Sequence, residues 1–147
     1  MTLKRDFPVV IKKDLGEGVC HKGLQALKNT DSQLISPRDR RLCHGSADID
    51  SALAVQQPQA SRWDYVLVYD QQLHFVEVHP AHTSEVSQVK KKKDWLMVWL
   101  ANAELGKLKV KRRFHWVASG KIAITRSGKQ YRAAAAMGLK PVRQLTL

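Results

Sequence analysis

Three residues of types that hold metal ions or move protons stand at the ends of two neighbouring apolar runs. Asp64 opens the run Tyr65-Val66-Leu67-Val68-Tyr69, and Glu77 and His79 close the run that starts at Leu73. Side chains alternate along a strand, so Glu77 and His79 share one face, and a hairpin register that brings Asp64 to that face makes the three converge. Two carboxylates suit a hard cation such as Mg²⁺, and a basic neighbour can handle an attacking water; together these hydrolyse a phosphodiester. Glu77 is the stronger candidate, because it interrupts Phe75, Val76 and Val78 where a buried carboxylate needs a partner or a metal. Each residue also has a structural reading. Asp64 suits a strand start paired to Arg62 or water, Glu77 an open sheet face, and His79 a polar strand end just before Pro80. His82 adds a second histidine, so that Glu77, His79 and His82 are by type a possible transition-metal set.

The elements that must position these groups follow from periodicity. Residues 62–69 and 73–79 are rich in β-branched and aromatic side chains and read as two strands joined at Asp70-Gln71-Gln72. Upstream, Phe7 to Ile11 reads as extended, and Gly18 to Asn29 as a first helix with Val19, Cys20, Leu24 and Leu27 on one face. Ser46 is expected to cap a short helix through Val55, with Asp48 and Asp50 in its first turn. Downstream, Thr83 or Ser84 caps a long helix to about Ala103, with Val86, Val89, Leu96, Leu100 and Ala103 as its buried stripe. Phe114 to Ala118 reads as a strand, Ser119-Gly120 as a turn, and Lys121 to Thr125 as a strand pairing back. Ser127 then caps a last helix through Met137, stopped by Gly138 and Pro141. The pattern is α/β, one domain over residues 1–147 with an N-terminal extension of about residues 1–16.

The order of these residues and elements, over roughly residues 18 to 138, resembles the PD-(D/E)xK nuclease superfamily. The resemblance implies a restriction-endonuclease-like core: a helix, a three-stranded meander, a crossover helix and a further strand, in a mixed sheet of about four to five strands flanked by helices. Asp64 then stands at the family's aspartate, Glu77 at its second acid and His79 at its lysine. Asp64 and Glu77 are the implied ligands of Mg²⁺ or Mn²⁺. Glu17, placed at the start of the first helix, matches an additional acid found in some members, or else serves the helix dipole.

With histidine at the lysine position, a lysine of the crossover helix is the alternative basic group. In the run Lys90-Lys91-Lys92-Lys93 the four side chains point in different directions. Lys93 falls on the stripe of Val86 and Leu96 and Lys90 at its margin, so these two are the candidates, with snorkelling at the core edge as their structural explanation. Lys91 and Lys92 are expected to face water. His79 remains the first choice, because it needs no helix packing to lie beside Glu77.

The net charge of +12 is unevenly divided: residues 1–89 carry ten Lys/Arg against eleven Asp/Glu, and residues 90–147 carry fifteen against two. A basic C-terminal part is the electrostatic footprint of a phosphate backbone, and Lys107, Lys109, Lys111, Arg112, Arg113, Lys121, Arg126, Lys129 and Arg132 are the candidate contacts. Trp95, Trp99, Trp116 and Phe114 are expected in the core, with Trp95 able to stack on a base if exposed. No apolar run approaches the ~18 residues of a membrane span. Two cysteines do not make a disulfide framework, and the N-terminal residues lack an apolar leader, so a cytoplasmic location is expected.

The expected function is a metal-dependent nuclease acting on DNA in preference to RNA. The alternative is a catalytically inactive, nuclease-like nucleic-acid-binding or assembly subunit. A homodimer or a larger DNA-processing assembly suits either.

Overall fold

The hairpin expected around Asp64 and Glu77 forms the middle of a five-stranded sheet. In this computed structural model, which describes residues 2–125 and 128–147, β4 (Tyr65–Tyr69) and β5 (Gln72–His82) are antiparallel neighbours. Asp70 and Gln71 both take positive φ, +48° and +61°, as a two-residue turn matched to the twist of its strands requires. The sheet order is β1 (Cys20–His21), β3 (Cys43–Asp48), β4, β5 and β6 (Arg112–Ala123). All neighbours are antiparallel except β5 and β6, whose parallel pairing requires a crossover. Helix α4 (Val86–Ala101) supplies it, after a 3₁₀ turn at Thr83–Glu85.

Alternation along the strands makes two faces. Val66, Val68, Leu73 and Phe75 pack with α4 and with α1 (Leu3–Leu15). Tyr65, Leu67, Tyr69, Val76 and Val117 pack on the other side against Leu27, Ile35 and Leu145. The last two belong to a small parallel sheet of β2 (Ile35–Ser36) and β7 (Leu145–Thr146). The long helix keeps its expected stripe, with Val86, Val89, Leu96 and Leu100 buried in α4 and Ala103 buried just beyond it. Neither Thr83 nor Ser84 caps it, however: both lie in the 3₁₀ turn, and Glu85 stands at the N-cap without a side-chain bond. The chain is therefore α/β, with a mixed central sheet flanked by helices. Among the described residues no helix is long and apolar enough to cross a membrane.

Several expectations are corrected. The segment Phe7 to Ile11, and with it most of the supposed N-terminal extension, is helical. Leu3, Phe7, Val10 and Ile11 form a buried stripe at helical spacing, and that burial outweighs the hydrogen bond lost at Pro8. Gly18 to Asn29 is not a helix; Gly18 and Gly23 take positive φ (+80° and +50°), and only β1 and turns form there before α2 (Asn29–Ser32). Ser46 lies buried in β3, its hydroxyl accepting from the Ala26 amide, while Asp48 caps α3 (Ile49–Leu53) through the Ser51 amide and hydroxyl. Pro80 does not end β5. The ladder bulges between His79 and Ala81, then continues, so Ala81 and His82 pair with Ile122 and Ala123. That continuation carries β6 straight through Ser119-Gly120, where a turn was expected, because β5 offers a longer partner than a hairpin could. The last helix, α5, spans Lys129–Ala136; the Ser127 cap lies outside the described residues.

Candidate active site

Register decides the site. Tyr65 pairs with Val76, so Asp64, one residue before β4, stands opposite Glu77, and the two lock onto each other's backbones. The Asp64 amide donates to Glu77 Oε1 at 3.1 Å, and the Val78 amide donates to Asp64 Oδ2 at 3.0 Å. One oxygen of each carboxylate is thereby fixed, and the other two, Asp64 Oδ1 and Glu77 Oε2, converge. The Lys92 ammonium sits between them, donating to Glu77 Oε2 and lying 3.5 Å from Asp64 Oδ1. His79 Nδ1 lies 3.3 Å from the same Glu77 Oε2; its Nε2, buried and without a hydrogen bond, faces Glu85 at 3.7 Å.

Lys92 is the residue that sequence reasoning missed and had turned to water. It lies three residues after Val89 and four before Leu96, so it flanks the buried stripe on one side while Lys93 flanks it on the other. Glu85, seven residues earlier, shares the Lys92 side, and that spacing was the available signal. Lys93 is directed away, donating to the Met137 carbonyl at 2.7 Å and lying over the Phe114 ring. Lys90 is exposed and paired with Asp94 at 3.0 Å. Neither expected helix lysine reaches the carboxylates; their neighbour does.

The electrostatics are those of a crowded, partly dried cluster. Glu77 is fully buried, and the Asp64 and Lys92 side chains are 19% and 14% exposed. Burial, and then the Glu77 charge, push the Asp64 carboxyl up to about 7 in spite of Lys92. His79 is raised above the ordinary histidine value, chiefly by its hydrogen bond to Glu77. Burial works against the charge on Lys92, but Glu77 and Asp64 outweigh it and hold its pKa above that of a free lysine.

The remaining candidates scatter. Glu17 follows α1 rather than opening a helix, is exposed, and pairs with Lys12 at 3.5 Å. His82 is exposed beyond the bulge, and no group of three or more His, Cys, Asp or Glu side chains is arranged as a metal site among the described residues; the Glu77, His79, His82 set does not form. Arg112 donates to the Gly106 carbonyl, Arg113 to Gln72 at 3.4 Å, and Lys107 pairs with Glu104. Lys109, Lys111, Lys121, Lys129 and Arg132 are exposed, and Arg126 lies outside the described residues. Leu73 accompanies Arg112 in the ladder and Glu77 accompanies Trp116, so the 111–113 cluster lies roughly 13 Å along the strands from the carboxylates. Lys121 lies toward the other end, beside Ile122, whose partner Ala81 is four residues past Glu77 and so roughly 13 Å the other way. Trp95 is half-buried, stacked on Trp99 with centroids 6.0 Å apart, and its indole donates to Gln57.

Asp64 Oδ1 and Glu77 Oε2 converge on one point that Lys92 occupies, and two carboxylate oxygens so placed are of the type that could hold a hard cation keeping several of its waters. They do not fit a closed set of protein ligands. No family model matches the chain, and comparison with curated proteins and with solved structures likewise finds no match.

Proposed function

We propose that the protein hydrolyses phosphodiester bonds in nucleic acid, DNA in preference to RNA, with Mg²⁺ or Mn²⁺ held by Asp64 and Glu77. The observation that carries this reading is the convergence of Asp64 Oδ1 and Glu77 Oε2 on a point that Lys92 also reaches. The chain order of α1, the β3-β4-β5 meander, crossover α4 and β6 supports a restriction-endonuclease-like core, with Asp64 one residue before β4 and Glu77 within β5.

A bound cation would polarise the phosphate and lower the pKa of a coordinated water. The chain's own residues do the rest. Lys92, held beside the carboxylates by the packing of α4, would neutralise the charge that develops on the phosphate oxygens. It takes the role first given to His79. His79 holds Glu77 from its other side, and Glu85 faces the outer imidazole nitrogen.

A second reading has its own observation. Lys92 and His79 already compensate the carboxylates without any metal, which is what an inactive, nucleic-acid-binding relative would retain. The variant Glu77→Gln separates the two, because it keeps the volume and one acceptor but removes the charge. The metal reading expects Mn²⁺ binding by calorimetry to be lost, and cleavage of plasmid, duplex or single strand to fall by at least about 100-fold, from several kcal/mol of lost stabilisation at 1.36 kcal/mol per decade. Wild-type protein that binds nucleic acid but neither takes up Mn²⁺ nor cleaves any of these substrates would leave the binding reading in its place.

A further inference from the structure

The point on which Asp64 Oδ1 and Glu77 Oε2 converge is already taken. A carboxylate oxygen offers about two lone-pair sites. Glu77 Oε2 accepts from the Lys92 ammonium and lies 3.3 Å from His79 Nδ1, while Oε1 is held by the Asp64 amide. A cation therefore reaches Oε2 only in place of one of these two neighbours. His79 is the fixed one: it belongs to β5, its backbone carbonyl accepts from the Trp116 indole at 3.1 Å, and its ring lies between Glu77 and Glu85. Lys92 is the movable one, an ammonium on a flexible four-carbon stem that can swing without any shift of α4.

Glu77 and Asp64 are the only carboxylates paired with Lys92 among the described residues, and its side chain is 14% exposed. Drawn off them, the ammonium has no acid to move to until an anion is brought from outside. The approach to the site, by contrast, is open. Asp64 lines a cavity of about 320 Å³ together with Asp31, Asp48 and Asp50. Those three are engaged, by the Tyr65 hydroxyl, by Ser51 and by Arg62, so they are not ligands in waiting, but their charge gathers cations on the Asp64 side. What limits a cation is thus the ammonium and not access.

We propose that Lys92 is a built-in counter-ion that keeps the site closed to divalent cations until a phosphodiester group draws the ammonium away, so that metal and nucleic acid bind cooperatively. This rests on the metal reading of Asp64 and Glu77 and adds the regulation of that site. The ammonium and a divalent cation carry like charge and need the same two oxygens, so each excludes the other at short range. A phosphate oxygen gives the released ammonium a charge-assisted partner in exchange for Glu77. The linkage is reciprocal: the factor by which nucleic acid raises cation affinity is the factor by which the cation raises nucleic-acid affinity.

The test measures binding on the full chain and does not depend on cleavage. Calorimetric titration with Mn²⁺ compares wild type with Lys92→Gln, which keeps a hydrogen-bond donor and removes the charge. The variant is expected to bind at least about 10-fold more tightly, the ratio for a site that Lys92 closes in about nine molecules of ten or more. A second measurement needs no variant: the ammonium resonance of Lys92 in the wild type is followed by NMR during a Mg²⁺ titration. It is expected to shift or broaden away in step with Mg²⁺ uptake, and a signal unmoved at saturating Mg²⁺ would overturn the proposal even where the variant fails to fold. By fluorescence anisotropy, Mn²⁺ is expected to raise wild-type affinity for a labelled phosphorothioate strand, duplex or single, by a larger factor than it raises that of Lys92→Gln, where only direct attraction between cation and phosphate remains. Equal factors would overturn the coupling. Mn²⁺ bound alike by wild type and variant would remove the closed state and leave the metal reading, whereas no uptake by either would remove both. The expected binding results in a wild type that cleaves nothing would instead remove the hydrolytic reading alone.

Discussion

Strand β5 carries ionisable groups on both faces, and the two faces solve burial in opposite ways. On the face toward α4, Glu77 and His79 join Asp64, Lys92 and Glu85 in a cluster where charges compensate one another. On the other face His74 stacks on His115, ring centroids 5.2 Å apart, with Nδ1 and Nε2 at 2.9 Å. Among the described residues no anionic group is paired with these histidines, and both are held down to about 4, first by burial, then for His74 by His115 and Arg113 and for His115 by Arg113. One face keeps its charges by pairing them, and the other keeps its groups neutral. A neutral pair sharing one proton contact is a packing unit, whereas the cluster on the other face depends on Lys92 and His79 for its charge balance.

The largest effect expected from this contrast is at Lys92. Lys92→Met leaves two facing carboxylates in a largely buried site, and removing one partner of such a group costs about 3–5 kcal/mol. Urea unfolding in EDTA should show that loss at pH 7.5 and a smaller one at pH 5, where a carboxylate can take up a proton. If the metal reading holds, Mn²⁺ should recover part of it; an unchanged midpoint in EDTA would remove Lys92 as the compensating charge.

Next in size is the pH dependence, with opposite signs on the two faces. The histidine pair titrates lower in the folded chain than in the unfolded one, where the ordinary value is about 6.5. Its contribution is therefore complete above about 6.5 and is lost as pH falls toward 4, on the order of a few kcal/mol for the pair. Asp64 is raised, so its contribution is complete below about 4 and is lost as pH rises through about 7. Relative to wild type, His74→Phe/His115→Phe should flatten the acid-side loss between pH 6.5 and 4, and Asp64→Asn should flatten the fall between pH 4 and 7. Parallel stability profiles for wild type and the histidine variant would mean that the pair is not neutral in the native state.

The smallest effect is expected at Lys90, whose exposed i, i+4 pair with Asp94 sits just outside the cluster. Lys90→Ala should shift stability by no more than about 0.5 kcal/mol and leave cleavage unchanged. A loss of turnover comparable to that of a Lys92 variant would place the basic group about half a turn away from where α4 presents it.

Local pattern was enough for the hairpin of β4 and β5, for the α4 stripe and for the two carboxylates, because alternation and helical periodicity are properties of neighbouring residues. The helix over Leu3–Leu15 was legible in the same way, in the spacing of Leu3, Phe7, Val10 and Ile11, although Pro8 and the β-branched residues around it favoured an extended reading. The continuation of β5 through the bulge after His79, and of β6 through Ser119-Gly120, could not be read locally, since each strand is extended by the other. The same holds for the basic group. Periodicity places Lys92 and Lys93 on the two flanks of one stripe, but which flank meets Asp64 and Glu77 depends on how α4 lies across the sheet. What the amino-acid order determined by itself was which residues could do chemistry and which strands present them. Only the tertiary structure decided which lysine completes the cluster, because those contacts join residues far apart in the chain through packing that no local pattern encodes.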